Sequence, residues 1–107
     1  MPTRSIIYFH IKPGMEAAFA RRFQELRILE TAQGQPGWLG GELCRAADGS
    51  PVFTVTALWQ SPDAYRAWRE RPRPTTGPGG IQEFCDEITE GKAYQLVHHV
   101  GPPERAG

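Results

Sequence analysis

Residues Ser5 to Ile11 place Ile7, Phe9 and Ile11 on one side of an extended chain and Ile6, Tyr8 and His10 on the other, the period-two pattern of a strand. After Pro13-Gly14 the period lengthens: Met15, Phe19, Phe23 and Leu26 recur at helical spacing, with Glu16, Arg21, Gln24 and Glu25 on the opposite, solvated side. The helix is expected to fade near Glu30, ahead of the Gly- and Pro-punctuated stretch Thr31 to Gly37. Trp38 to Arg45 reads as a second strand, which Asp48-Gly49 joins by a hairpin to a third, Val52 to Trp59, rich in β-branched and aromatic residues. Ser61 can cap a second helix that begins at Pro62, where a missing backbone N–H costs nothing, and ends before Pro72.

Beyond that helix the pattern weakens. Residues 71–80 carry too many prolines and glycines for a regular element and read as a connector or a lid. Ile81, Phe84, Cys85 and Ile88 have the i, i+3, i+4, i+7 spacing of a short helix that Gly91 would end, and Ala93 to Val100 reads as a last strand. The order is β-α-β-β-α-β, an α+β ferredoxin-like plan with a four-stranded antiparallel sheet and helices on one face. One domain over residues 1–100 and a frayed tail over 101–107 are expected. Because the side of the first strand bearing Ile6, Tyr8 and His10 is poorly suited to water, the sheet is expected to pack face to face with a second copy in a homodimer.

Charge narrows the partners. Twelve basic residues balance twelve acidic ones, so no bulk field favours nucleic acid or an anionic membrane surface. No apolar run approaches the roughly 18 residues of a membrane span. The N-terminus leads straight into a strand without a secretory apolar region, and a cytoplasmic location is expected. Cys44 and Cys85 lack the spacing of a zinc or redox site and read as two buried free thiols.

Candidate chemistry gathers where the third strand meets the second helix. Trp59 ends the strand, and Tyr65 and Trp68, three residues apart, share a helical face. These rings can fill a core, or they can wall a slot for a flat ligand. His10, His98 and His99 are possible proton acceptors near neutral pH, although strand alternation sends His98 and His99 to opposite faces. Arg22 and Arg27 read as surface charges.

Lys12-Pro13-Gly14 before the first helix, Gln35-Pro36-Gly37-Trp38-Leu39-Gly40 into the second strand, and the segment from Trp59 to Trp68 together resemble the antibiotic biosynthesis monooxygenase superfamily. The resemblance covers most of the chain and implies a dimeric α/β barrel. Locally, Trp59-Gln60-Ser61-Pro62-Asp63-Ala64-Tyr65 is similar to the Trp-x-Ser-x-x-Ala-Tyr pattern of cofactor-independent monooxygenases that oxidise anthrone-type polyketides. That implies a monooxygenase acting with O2 on an aromatic, phenolic small molecule, with no cofactor and no metal. Trp59, Tyr65 and Trp68 would be its catalytic wall. Ile7, Phe9, Phe23, Val55, Phe84 and Arg73 would bind substrate, Val55 standing where this branch has an Asn and Arg71 or Arg73 where it has an Arg.

A polyketide cyclase or isomerase on the same fold, and a non-catalytic dimer that binds hydrophobic ligands, are the alternatives. Haem degradation ranks below these. That branch of the superfamily matches Trp68, but its strand-one Asn would fall at Ile7 and its axial His at Thr75, Thr76 or Gly77.

Overall fold

The computed structural model describes residues 1–71 and 79–102. Its elements are β1 (Thr3–Ile11), α1 (Glu16–Glu25), α2 (Ile28–Gln33), β2 (Trp38–Arg45), β3 (Val52–Trp59) and α3 (Pro62–Arg69). A single 3-10 turn, Gln82–Phe84, then leads into β4 (Cys85–Glu90) and a short β5 (Tyr94–Gln95). The sheet is antiparallel in the order β2-β3-β1-β4, with β5 pairing to β1 at Thr3 and Arg4. This is the ferredoxin-like arrangement. The helices cover one face, onto which β1 turns Phe9 and Ile11 and β3 turns Phe53, Ala57 and Trp59, all buried.

Local chemistry sets the junctions. Ser61 is extended, and its Oγ accepts the Ala64 N–H at 3.2 Å, so α3 starts at Pro62 as its capping sequence requires. At the β2–β3 hairpin the Asp48 carboxylate accepts from the Ser50 hydroxyl at 2.6 Å and its N–H at 2.9 Å, which holds its pKa below the ordinary carboxylate value. Arg22 donates to the Gly79 carbonyl at 2.6 Å and lies over the Phe84 ring, 5.6 Å from its centroid, tying the 3-10 turn to α1.

Four expectations need correction. The implied barrel is absent: the sheet is open, and among the described residues β2 and β4 do not pair with one another. Within the chain β2 and β4 lie at opposite edges of the β3–β1 pair, so no hydrogen-bonded ladder joins them. The helix expected from Ile81 to Ile88 is the 3-10 turn followed by β4, because Ile88 and Glu87 find hydrogen-bonding partners opposite Phe9 and His10 on β1. A short apolar run fits either period, and the unpaired β1 edge decided for strand. The strand expected from Ala93 to Val100 is reduced to Tyr94–Gln95. The first helix does not fade at Glu30: Arg27 takes a left-handed conformation, φ 52°, and a second helix runs on to Gln33.

The helix-covered face carries two separate cores. One joins Phe9, Ile11, Phe19, Phe23, Phe53 and Phe84, and the other joins Ala32, Ala57, Trp59 and Tyr65. Ile7 and Val55, opposite one another in the β1–β3 register, lie between the two and are only half-buried.

Candidate functional site

A cavity of about 630 Å³ occupies the gap between the cores. Ile7 and Val55 form its floor on the sheet, while Phe23 of α1, Leu26 just beyond it, and Ile28 and Leu29 of α2 cover it. Trp38, Trp59, Tyr65 and Trp68 wall one end. The volume is that of an ordinary small-molecule site, and the wall is largely apolar.

Trp59 anchors that wall and is 1% exposed. The Trp68 ring stacks on it at 6.3 Å and 29°, Tyr65 lies tilted at 6.0 Å, and Trp38 meets it edge-on at 5.3 Å. Its indole Nε1–H donates to Ser5 Oγ at 3.3 Å, inside the protein. The indole N–H is therefore engaged by Ser5. Tyr65 is buried and carries the Arg69 guanidinium over its ring at 5.6 Å, and Arg69 in turn pairs with Glu90 at the cavity edge.

Of the residues expected to bind substrate, Ile7, Phe9, Phe23 and Val55 line the cavity. Phe84 does not; it packs into the first core, and its neighbours Ile81 and Gln82 face the cavity instead. Arg73 lies outside the described residues, as does most of the segment read as a connector or lid. Arg71 is described, exposed, and reaches the cavity, where it is a cation at the mouth.

The histidines do not gather. His10 points to the uncovered sheet face opposite Val52 and Glu87, and His98 and His99 are exposed beyond β5, which pairs only with the start of β1. None of them lines the cavity. Among the described residues no group of three His, Cys, Asp or Glu side chains is placed to hold a metal ion. The cysteines are free, but only Cys85 is sheltered: Cys44 is exposed on β2, whereas burial pushes the Cys85 thiol up to about 11. No helix among the described residues is long and apolar enough to cross a membrane.

Two wall residues escaped the sequence. Trp38 faces inward because β2 carries a bulge between Trp38 and Gly40; without it Leu39 would stand opposite Trp59. The turned-out Leu39 is instead 47% exposed. Gly37 and Gly41 make room for this geometry. At Gly37, φ is +88° and a Cβ would lie 2.6 Å from Ala64 Cβ; at Gly41 it would lie 2.5 Å from Trp38 Cη2. Ser5 is the second, and its only sequence signal is a small polar residue that, with Thr3, precedes Ile7, Phe9 and Ile11 on the inner side of the first strand.

The family model described as antibiotic biosynthesis monooxygenase matches residues 2–74 of this chain. A haem oxygenase (mycobilin-producing) of Mycobacterium tuberculosis is 32% identical over 60 residues, covering 56% of this chain and 51% of that protein. The chain thus spans about half the length of the curated relatives it matches. Among solved structures, a heme-degrading protein of M. tuberculosis in its heme-free form superposes with a TM-score of 0.69 at 23% identity, over 94% of this chain and 100% of that one. A cofactor-independent oxygenase from Streptomyces nogalater gives 0.70 at 18% identity, over 94% and 98%. These structural likenesses establish the shared fold. The sequence likeness falls on a haem oxygenase, so the expected assignment to polyketide oxidation, with its cyclase and ligand-binding alternatives, is not retained, nor is the low rank given to haem.

Proposed function

The chain belongs to the antibiotic biosynthesis monooxygenase family, and on that premise we propose that its cavity takes haem as a substrate and supports oxidative opening of the macrocycle. One observation carries this: an apolar slot whose end wall is a stacked pair of indoles, Trp59 and Trp68, in a chain similar to a haem oxygenase. Stacked indoles and aliphatic side chains grip a flat conjugated ring by its faces and keep water from it.

The chemistry of the lining sets how the ring is held. No His or Cys lines the cavity among the described residues, so binding rests on contact with the ring rather than on an imidazole at the iron. The Arg71 guanidinium, exposed at the mouth, is placed to pair with the carboxylate side chains of haem while the ring lies inside. Ile7, Val55 and Trp68 contact the ring in this proposal, and buried Trp59 and Tyr65 support the wall from behind.

A homodimer is part of the same proposal. The sheet face away from the helices presents Ile6, Leu58 and Tyr8, the last 37% exposed, and a second copy packed there would shelter them.

Titrating the protein with ferric haem tests the function directly. A saturable shift of the Soret band at one haem per chain is expected, followed by loss of that band and appearance of an open-chain tetrapyrrole when reductant and air are supplied. An unshifted Soret band would overturn the proposal. Light scattering of the purified protein should return twice the chain mass.

A further inference from the structure

Ser5 is 5% exposed, and it lines an apolar cavity. Its partner on β3 is Ala57, whose small side chain leaves the hydroxyl uncovered, while Trp59, two residues along, reaches diagonally across to it. A serine hydroxyl has one proton to give and two lone pairs to accept with. The Trp59 indole N–H takes a lone pair, so the bond between them uses Ser5 only as acceptor. Among the described residues Ser5 Oγ has no other partner, and its own proton is unused.

A buried donor without an acceptor is costly unless something outside the chain satisfies it. The body of the protein closes Ser5 off on the sheet side, and Trp59 fixes the direction from which it accepts. The cavity is the space left for its proton. Water can fill that role when the cavity holds no ligand, and a ligand atom that accepts a hydrogen bond can replace that water without loss.

We propose that Ser5, oriented by Trp59, is a specificity-determining donor that selects planar ligands bearing a carbonyl-type oxygen on the edge that enters the cavity. This goes beyond haem binding and does not require it. Should haem be the substrate, ring opening creates carbonyl oxygens that the intact macrocycle lacks, and the same hydroxyl would then favour the opened product.

Two rigid tricyclic probes of nearly equal shape, 9-fluorenone with a carbonyl and fluorene without, isolate the effect. Binding is read from quenching of the cavity indoles, and the carbonyl stretch of bound fluorenone is read by infrared difference spectroscopy. The wild-type protein should prefer fluorenone roughly fivefold, a typical value for one net hydrogen bond, and should shift its carbonyl band to lower frequency. Ser5→Ala should lose both the preference and the shift, and Ser5→Thr, which keeps a hydroxyl, should retain them. An unshifted band in the wild type, no binding of either probe, or an undiminished preference in Ser5→Ala would overturn the proposal. Should Ser5→Ala unfold because the Trp59 N–H loses its acceptor, the wild-type band and Ser5→Thr decide. A normal fluorenone result with no haem binding would remove haem as substrate and leave the role of Ser5 intact.

Discussion

Trp38 and Trp59 stand directly opposite one another across β2 and β3, their rings 5.3 Å apart and nearly perpendicular at 84°. The contact depends on a single extra residue in β2, since the bulge turns Trp38 inward and Leu39 outward. It depends equally on Gly41, over which the Trp38 ring lies.

Gly41→Val should therefore displace Trp38. With a Cβ calling for space only 2.5 Å from Trp38 Cη2, a loss of about 1–3 kcal/mol in urea unfolding is expected, together with weaker haem binding. Full stability combined with unchanged binding would show that Trp38 is not part of the wall.

Trp68→Ala separates binding from folding. Trp68 is only half-buried and stacks on the outer side of Trp59, so the fold should persist while haem affinity falls roughly tenfold by Soret titration. Trp59→Phe should do the reverse in part, costing about 2 kcal/mol of stability through lost packing and the lost bond to Ser5.

Ser61→Ala should cost about 1 kcal/mol in urea unfolding by removing the acceptor for the Ala64 N–H. A much larger loss would mean that α3 is held by its cap rather than by Tyr65.

Cys85 gives a pH dependence of known sign. Burial raises its thiol from 9.0 to about 11, so the unfolded chain releases this proton first as pH rises. The contribution to stability is fully present below pH 9 and declines towards about 11. Cys85→Ala should flatten the alkaline decline measured by denaturant titration. At pH 8.5, iodoacetamide should label exposed Cys44 well ahead of Cys85.

The parts of this fold that could be read from sequence are those where local chemistry and tertiary demand agree. Val52 to Trp59 is β-branched, alternating and buried on one side, and Ser61-Pro62 starts a helix wherever it can, so β3 and α3 fall where the pattern puts them. Ile81 to Ile88 has spacing that satisfies a helix, while its outcome depends on an open edge of β1 that no local window contains. The inward side of Trp38 is hidden for a related reason: which side of a strand a residue takes is fixed by register, and one bulge reverses it. Ile7 and Val55 could be placed on the inner face, but not at the seam between two cores, since that depends on where α1 breaks at Arg27. Substrate was not legible in the Trp59 to Tyr65 pattern, because one fold hosts many chemistries and a short motif marks the family rather than the ligand.

The seam has a mechanical consequence. Ile7 and Val55 belong to the two central strands, which stay in unbroken register from Thr3–Trp59 to His10–Val52. A hollow whose base is a hydrogen-bonded ladder keeps its floor fixed, so it is expected to stand open in the absence of a ligand. Association should then be quick and nearly free of backbone rearrangement, and hydrostatic pressure, which penalises standing voids, should unfold the unliganded chain more readily than the occupied one.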